Sequence, residues 1–497
     1  MPSPISRRSF IASATAPAIL RAQPSRRPNI LFAIMDDWGY GHAGAYGCKW
    51  VNTPAFDRIA QRGVTFNNTF TSNPKCSPCR ATILTGRNSW QLKEAVNHFS
   101  IFPPDFPVYP DLLEKAGYFV GLTGKGWGPG DFKSTGWPRN PAGPLFNSVT
   151  TKPPAQFISN NDYAGNFLNF LQKRPAGRPF CFWMGGTEPH RPYEDGIGLR
   201  SGKRLEDAVV PKYYPDHRTI RSDLLDYAFE VEYFDSHVLR ALNHLEKTAE
   251  LDNTLVLMTS DHGMPFPRVK GQIYDAGFRI PLAAMWGREL KGGQRIDDFI
   301  NARDFAPTFL EAAGLEPAGT MTGRSFLDTL RANRSGWIDP SRSTMLVGKE
   351  RHDLGRPRDA GYPVRAIRTK DFLYVRNYAP DTWPAGNPET GYRNVDDSPT
   401  KTFLISRFDE YYRLNFGLRP AEELYLVNDD PDNVNNVAAN PEYAEAKRKL
   451  RERMEEMLRG EGDPRLLNRA DFFDTIEYTG QRTHSYENWL KNSGVQK

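Results

Sequence analysis

Residues Asn29 to Asp37 read NILFAIMDD, an apolar run that ends abruptly in two aspartates. A continuous apolar run of this kind is typical of a strand buried on both faces of a parallel sheet. The segment Asn253 to Thr259, NTLVLMT, repeats the pattern and runs into Asp261 and His262. Both runs predict central strands, each with an acidic residue just past its carboxyl end.

Helical and strand patterns alternate around these two runs. Thr53 and Pro54 supply an N-cap and a first-turn proline for a predicted helix that stops at Gly63, before a strand over Val64 to Phe70. Such alternation predicts an α/β fold in which a large sheet is flanked by helices. The other predicted helices cover Asp111 to Ala116, Asp162 to Gln172, Thr219 to Glu250 and Asp304 to Ala313, and the other strands cover Tyr118 to Thr123, Pro179 to Met184 and Phe278 to Met285.

The pattern changes beyond Gly336. With 497 residues the chain exceeds the size of one ordinary core, which predicts a second domain. We expect a large domain over 27–336 and a smaller C-terminal α+β domain over 337–497, with loop structure over 379–402. In the smaller domain the predicted strands cover Ser343 to Val347, Val364 to Thr369 and Phe372 to Asn377, and a charged helix covers Pro441 to Arg459.

Residues 1–22 do not fit the pattern of the fold. Arg7 and Arg8 precede an alanine-rich apolar run that ends near Leu20, and cleavage is expected near Ala22. The segment resembles a twin-arginine export signal, which predicts a periplasmic or extracellular protein. A basic tail outside the fold is the alternative interpretation.

Composition argues against two kinds of partner. The formal net charge is +5, and the predicted leader supplies three arginines and no acid, so the remainder is nearly neutral. A nucleic-acid-binding domain needs a concentrated basic face, and we expect none here. No stretch approaches the roughly 18 uninterrupted apolar residues of a membrane span, so we expect no such span.

Two strand ends carry candidate metal ligands. Open α/β sheets bind ligands beyond the carboxyl ends of their strands, where Asp36, Asp37, Asp261 and His262 are expected to lie. Three carboxylates favour a hard cation such as Ca²⁺ or Mg²⁺ over zinc, although His262 is an unusual ligand for either. The sequence therefore predicts one divalent cation, with Ca²⁺ preferred and Mg²⁺ as the alternative.

The run Cys76 to Arg80, CSPCR, followed by ATILTGR, carries the strongest motif. Its C-x-x-C spacing alone also allows a disulfide between Cys76 and Cys79. The run resembles the signature of the type I, formylglycine-dependent sulfatases of the alkaline phosphatase superfamily. Cys76, Pro78, Arg80, Thr85 and Gly86 fit the required positions.

The resemblance implies a mechanism. Cys76 would be oxidised to formylglycine by a formylglycine-generating enzyme, and an oxygen of the hydrated aldehyde would attack sulfur. The guanidinium of Arg80 would hold that side-chain oxygen. The metal would be bound by Asp36, Asp37, Asp261, His262 and the modified Cys76.

Further family-like segments supply the remaining catalytic candidates. Lys125, in GLTGK, and Lys270, downstream of SDHG, would bind sulfate, and His190, in EPHRP, would act on the leaving oxygen or nitrogen. Sulfatases usually have a histidine two residues after the strand lysine, but this chain has Trp127 there. His98 or a metal-bound group is the expected substitute base.

The stretch SDHGMPFPRVKGQIYDAGFRIPL and the later GKERH are similar to the heparan N-sulfatase (sulfamidase) branch. A sulfated sugar or glycosaminoglycan is the substrate that this implies, as an ester or a sulfamate. Arg351, His352 and Arg365 would line a pocket for an anionic sugar, or would be ordinary surface or inter-domain residues. A phosphonate monoester hydrolase or phosphodiesterase, and a non-catalytic sulfated-sugar-binding protein, are the alternative functions.

Overall fold

The computed structural model describes Met1 and residues 27–494. Apart from Met1, the predicted export signal lies outside these residues. The strands β1 to β13 are Asn29–Met35, Val64–Phe70, Ser100–Ile101, Phe119–Gly124, Gly130–Asp131, Phe180–Gly185, Thr254–Ser260, Arg279–Met285, Gln294–Asn301, Thr344–Lys349, Val364–Thr369, Phe372–Asn377 and Glu422–Leu426. The helices α1 to α13 are Pro54–Arg62, Cys76–Thr85, Tyr109–Lys115, Tyr163–Lys173, Ile197–Arg200, Arg218–Lys247, Asp275–Phe278, Phe305–Ala312, Leu327–Leu330, Pro399–Ile405, Glu410–Phe416, Ala444–Gly460 and Tyr486–Asn492.

A seven-stranded mixed sheet forms the centre of the molecule, in the order β4-β6-β1-β7-β8-β2-β9. β4, β6, β1 and β7 run parallel, whereas β8 is antiparallel to both of its neighbours. Every residue of β1 and β7 is buried, because helices cover both faces of the sheet. The predicted α/β class and the two predicted central strands are confirmed.

Four parallel strands therefore end at the same edge of the sheet. β1 runs into Asp36, and β7 runs into Asp261. β4 is followed by Lys125, and β6 leads to the turn that carries His190. The order of the strands thus collects residues from four distant segments of the chain at one place.

The long helix α6 packs on one face of the sheet and also carries buried acids. Its apolar stripe, including Leu224, Val231 and Val238, belongs to the largest apolar cluster. Asp235 accepts hydrogen bonds from the backbone N–H groups of Ala55 and Phe56 at 2.8 and 3.0 Å. It thereby caps the N-terminus of α1 from a neighbouring helix.

A second, four-stranded antiparallel sheet, in the order β10-β11-β12-β13, follows the large one. One face packs under α12 through Leu450, Met454 and Leu458. The other face joins an apolar cluster with Phe70 and Phe278 of the larger sheet region. The smaller α+β unit is thus present and lies against the first.

Among residues 27–494, no helix is long and apolar enough to cross a membrane.

Candidate active site

Cys76 is the first residue of α2 and is 1% exposed. Its Sγ lies 3.4 Å from Nε2 of His262. Burial, and then the charge of Asp36, raise the pKa of the Cys76 thiol above its ordinary value. Burial and the neighbouring carboxylate thus disfavour the thiolate, which is the nucleophilic form of a cysteine.

Cys76 and Cys79 are both free thiols. The disulfide that their C-x-x-C spacing allowed is not formed. Cys79 faces the apolar cluster behind α2, together with Ala81 and Ile83. This placement gives Cys79 a packing role.

Arg80 connects the two strand ends. Its Nε donates to Oδ2 of Asp261 at 2.9 Å, and its Nη2 donates to Oδ1 of Asp36 at 3.3 Å. Nη1 donates to the carbonyl oxygens of Lys125 and Gly126 at 2.8 and 3.1 Å. Because the guanidinium is fully buried, these bonds replace its hydration. Arg80 therefore fixes the two carboxylates in position.

Four metal-binding types of side chain meet beside the start of α2. Donor atoms of Asp36, Cys76, Asp261 and His262 lie within 4.8 Å of one another, and all four residues are buried. Nδ1 of His262 lies 3.1 Å from the carbonyl oxygen of Gly263. With that nitrogen donating, Nε2 presents a lone pair towards the cluster.

Asp37 completes the group. Its φ of 73° lies in the left-handed region, which is uncommon for a residue other than glycine. Its Oδ1 is buried 3.1 Å from Nε2 of His262 and receives no hydrogen bond among the described residues. A buried carboxylate oxygen without a donor fits a cation as its partner. The five side chains expected to bind metal are thus brought together, and their donor set fits one divalent cation.

Two lysines lie against these carboxylates. Lys125 pairs with Asp36, and Nζ of Lys270 lies 2.7 Å from Asp37 and 2.9 Å from Asp396. Burial opposes the charge of each lysine, but the carboxylates outweigh burial and raise both lysine pKa values. Both side chains are therefore cations near neutral pH, although Lys270 is buried and Lys125 is only 18% exposed.

His190 lies at the more open side of the group. Its side chain is 36% exposed, and Nε2 lies 4.0 Å from Oδ2 of Asp37. Nδ1 lies 2.7 Å from the carbonyl oxygen of Arg191, which fixes the orientation of the ring. Nε2 is the nitrogen left to contact a ligand.

These side chains open into one cavity of about 680 Å³. Small-molecule sites commonly have volumes of about 300–1,000 Å³. The lining residues are Lys75, His98, Phe99, Lys125, Gly128, Pro129, His190, Lys270, Asp353, Leu354, Arg393, Asp396, Tyr478, Gln481, Thr483 and His484. A further cavity of about 510 Å³ lies beside α1 and is lined by other residues, including Asp57 and Arg295.

His98 belongs to a charged chain on the wall of the larger cavity. Its Nδ1 lies 2.7 Å from Oδ1 of Asp353, whose Oδ2 lies 2.6 Å from Nζ of Lys75. Burial lowers the pKa of His98 to about 4, against the opposing charge of Asp353. The ring is therefore neutral near pH 7 and donates from Nδ1. Its Nε2 is buried and has no hydrogen-bond partner among the described residues.

Sequence reasoning did not identify Lys75, Asp353 or Asp396. Lys75 directly precedes Cys76, and Asp353 directly follows the GKERH run, so proximity to a motif was the available signal. Asp396 belongs to the Pro- and Gly-rich stretch over 379–402, where nothing in the sequence separates it from ordinary loop acids.

Trp127 lies in the apolar core and does not line the cavity. Its ring packs edge-on against Phe102 at 5.0 Å between centroids. Its Nε1 donates to the carbonyl oxygen of Ser77 at 3.1 Å. Sulfatases usually have a histidine at this position. Trp127 instead supports the backbone next to Cys76 and does not line the cavity.

The three residues considered for an anionic sugar pocket lie elsewhere. Arg351 donates to the carbonyl oxygens of Ile476 and Glu477 at 2.8 and 3.0 Å. His352 is buried, with Nε2 2.7 Å from Oδ1 of Asn73. Arg365 is also buried, in ion pairs with Glu350 and Asp463 that are 2.8 and 2.6 Å long. Their contacts are structural, and none of the three lines the cavity.

Similarity to proteins of known structure supports the fold. BT4656, solved with its substrate D-glucosamine-2-N,6-O-disulfate, has a TM-score of 0.65 and 21% identity, covering 88% of this chain and 98% of that one. Phosphonate monoester hydrolase SpPMH from Silicibacter pomeroyi has a TM-score of 0.63 and 17% identity, covering 88% and 96%. The fold alone therefore does not separate sulfatases from phosphonate hydrolases.

Sequence comparison adds named sulfatases to this similarity of fold. An ulvan-active sulfatase of Formosa agariphila is 28% identical over 444 residues, covering 88% of this chain and 81% of that protein. Human N-sulphoglucosamine sulphohydrolase is 28% identical over 485 residues, covering 88% and 90%. The C-terminal family model of N-sulphoglucosamine sulphohydrolase matches residues 266–383. The sulfatase family model matches residues 28–315, which is more than half of the sequence, and the chain belongs to the sulfatase family of hydrolases.

Proposed function

We propose that this sulfatase hydrolyses sulfate esters or sulfamates of a sulfated sugar or glycosaminoglycan, through a formylglycine formed from Cys76. The observation that carries the proposal is the convergence of Cys76, Arg80, Lys125 and Lys270 with three buried carboxylates at one sheet edge, beside a cavity. Relatives named as ulvan-active sulfatase and N-sulphoglucosamine sulphohydrolase support a sulfated-sugar substrate.

The raised pKa of the Cys76 thiol, which disfavours the thiolate, supports modification of this residue. A hydrated aldehyde supplies an oxygen nucleophile in its place. Because the residue starts a buried helix, this oxygen would be held close to Lys125 and Lys270 and shielded from bulk water. A formylglycine-generating enzyme is therefore a required partner.

Lys125 and Lys270 are proposed to bind the sulfate oxygens. Each is a cation whose charge is maintained by a carboxylate, so the positive charge is in place before the substrate arrives. His190 is proposed to donate a proton from Nε2 to the leaving oxygen or nitrogen, because Nδ1 is engaged with the backbone.

Asp36, Asp37, Asp261, His262 and the modified Cys76 are proposed to hold one divalent cation, with Ca²⁺ preferred and Mg²⁺ as the alternative. When bound, the cation would polarise a sulfate oxygen and lower the pKa of the nucleophile. The mostly oxygen donor set supports a hard cation.

His98 is proposed as the proton acceptor in the step that regenerates the aldehyde. Trp127 does not line the cavity, whereas His98 does and has an unpartnered Nε2. Asp353 accepts from the opposite ring nitrogen, as an orienting carboxylate does for a general base.

Export through a twin-arginine signal over residues 1–22 remains part of the proposal, as does division of the chain into a catalytic domain over 27–336 and a smaller domain over 337–497. The presence of the two separate sheets supports the division.

Turnover of matched substrates tests the reaction. We expect the purified enzyme to release sulfate from a sulfated glucosamine with a kcat/KM at least about 100-fold above that for a phosphodiester of the same leaving group. The opposite preference would favour a phosphonate monoester hydrolase. Tight binding without sulfate release, at full conversion of Cys76, would favour a sugar-binding protein.

A further inference from the structure

The residues that line the cavity come from two parts of the chain. The inner end holds Lys125, His190 and Lys270, all within the residues 28–383 that the two family models match. Six other lining residues come from outside that range. Asp396 contacts Lys270, and the other five form the outer wall: Arg393, Tyr478, Gln481, Thr483 and His484. These residues therefore come from the part of the chain that follows both matched regions.

The segment 476–484 forms part of that outer wall and is fixed to the first half of the chain. The N–H of Thr479 donates to the carbonyl oxygen of Phe99 at 2.8 Å. The rings of Tyr478 and Phe99 lie 5.1 Å apart. Arg351 donates to the carbonyl oxygens of Ile476 and Glu477 from the other side. Because the backbone is held at both sides, the wall has a defined shape before a ligand binds.

Arg393 is the cation of this outer wall. Within residues 27–494, its side chain makes one hydrogen bond, from Nη1 to Oδ2 of Asp397 at 2.9 Å. The side chain of Arg393 is 35% exposed and that of Asp397 is 75% exposed. Exposed pairs of this kind contribute little stability. Asp397 also accepts from Nζ of Lys401 at 2.9 Å, so it keeps a cation if Arg393 turns towards a ligand. Arg393 is thus free to bind an anion.

The other cations of the cavity are already committed. Lys125 and Lys270 are paired at the inner end, and Lys75 is paired with Asp353. Asp396 is paired with Lys270 at the inner end, which leaves Arg393 as the available guanidinium of the cavity. A guanidinium binds a carboxylate or a sulfate through paired N–H donors.

We propose that the outer wall binds a second anionic group of the substrate, a further sulfate or a carboxylate, through Arg393. Tyr478 would pack against the sugar ring, and the exposed side chains of Gln481, Thr483 and His484 would contact its hydroxyl groups. The substrate class is then a sugar with two anionic groups, of which the inner one is hydrolysed. This inference rests on the proposed function, since it assumes that the inner end binds the sulfate that is cleaved.

Binding to the full-length Cys76→Ala variant tests the proposal without turnover. Isothermal titration would compare D-glucosamine-2-N,6-O-disulfate with the two singly sulfated glucosamines. We expect the disulfate to bind at least about 10-fold more tightly than either, and Arg393→Gln to remove most of that preference. Affinity for the singly sulfated sugars should stay within about twofold. Arg413→Gln, the same change at an exposed residue of α11, is the matched control and should leave all three affinities unchanged.

Equal losses for all three sugars in Arg393→Gln, or no loss for any, would overturn the outer anion site. Sulfate release by the wild-type enzyme is measured separately. If the wild-type enzyme releases sulfate but shows no preference for the disulfate, the outer anion site alone is overturned. If the disulfate binds more tightly in a way that depends on Arg393, but no sulfate is released from any of the sugars, the proposed function alone is overturned.

Discussion

The side chains around Cys76 form an alternating arrangement of charge. Arg80 lies between Asp36 and Asp261, while Lys125 and Lys270 lie against Asp36 and Asp37. Burial works against the charge of Asp36, but Lys125 and Arg80 outweigh it and hold the pKa of that carboxyl well below its ordinary range. Breaking a buried charge pair leaves an uncompensated charge, so each member depends on the others.

Arg80→Lys tests this dependence. A lysine keeps the charge but loses the fork that bonds both carboxylates, so we expect kcat to fall at least about 100-fold. Bound metal, measured by elemental mass spectrometry, should fall with it. Arg87→Lys, the same change in the same motif at a partly exposed residue, should leave both values within about twofold. An Arg80→Lys enzyme with full metal content and near-normal kcat would contradict this account of Arg80.

The role of His98 as a proton acceptor can be tested by substitution. If it accepts a proton, both His98→Ala and His98→Gln should lower kcat at least about 100-fold with little change in KM, since glutamine accepts a hydrogen bond but no proton. If His98→Gln is much more active than His98→Ala, His98 is a positioning residue and not the proton acceptor. His42→Gln is the matched control, because burial also lowers the pKa of His42 to about 4 but His42 does not line the cavity.

The pH profile gives His98 a further readout. With its pKa lowered to about 4, the ring is neutral above that pH and charged below it. The contribution of His98 to kcat should therefore be full near pH 7 and be lost as the pH falls through about 4. A loss of that contribution already between pH 7 and 6 would contradict the assignment.

At the scale of elements, buried strands were the best predicted feature. The predicted strands Val364 to Thr369 and Phe372 to Asn377 agree in both bounds, and the predicted strand over Asn253 to Thr259 is shifted by one residue. The run over Asn253 to Thr259 is mostly apolar, and the other two are rich in β-branched or aromatic residues, so each is recognised without context. α2 was not predicted as a helix, because CSPCRATILT is buried all round and has no amphipathic period. α10 lies partly within the stretch that composition assigned to loop.

α6 carries a stability prediction. Burial raises the pKa of Glu230 to about 9, and its Oε1 has no hydrogen-bond partner among the described residues. A group with a raised folded-state pKa stabilises the protein below its ordinary pKa of 4.5, and that contribution is lost as the pH rises towards 9. Glu230→Gln removes this titration.

We therefore expect Glu230→Gln to increase the free energy of unfolding at pH 8 by about 1 to 3 kcal/mol, and by much less at pH 5. Denaturant unfolding at the two pH values measures the difference. Glu232→Gln on the same helix is the control, and it should destabilise slightly because it removes the partner of Lys203. If Glu230→Gln increased the free energy of unfolding by the same amount at both pH values, Glu230 would be ionised in the folded protein.

At the scale of the whole molecule, the site is assembled from segments about 400 residues apart in sequence, from Lys75 to His484. The inner residues were predictable because each belongs to a motif whose chemistry is recognisable alone. The outer wall was not, because its position depends on how the last segment packs on Phe99 and Arg351. In the sequence, Arg351 was a candidate for binding an anionic sugar. In the structure it supports the backbone of the segment 476–484 and does not line the cavity.

Arg351→Ala tests that supporting role. Losing two bonds to the carbonyls of Ile476 and Glu477 should loosen the segment 476–484, and amide hydrogen exchange there should become at least about 10-fold faster. KM for a sulfated disaccharide should rise, whereas kcat/KM for a small aryl sulfate should stay within about threefold. Arg469→Ala, an exposed arginine nearby in sequence, is the control. An equal loss on both substrates would show that Arg351 supports the whole fold and not this wall.

In the proposed mechanism Cys76 becomes the nucleophile as a formylglycine. Mass spectrometry of the tryptic peptide CSPCR, taken together with sulfate release by the wild type and by Cys76→Ala, tests it most directly. We expect an aldehyde at position 76 in the active wild-type enzyme and a loss of activity of at least about 1,000-fold in Cys76→Ala. A fully active enzyme in which Cys76 is still a thiol would contradict it.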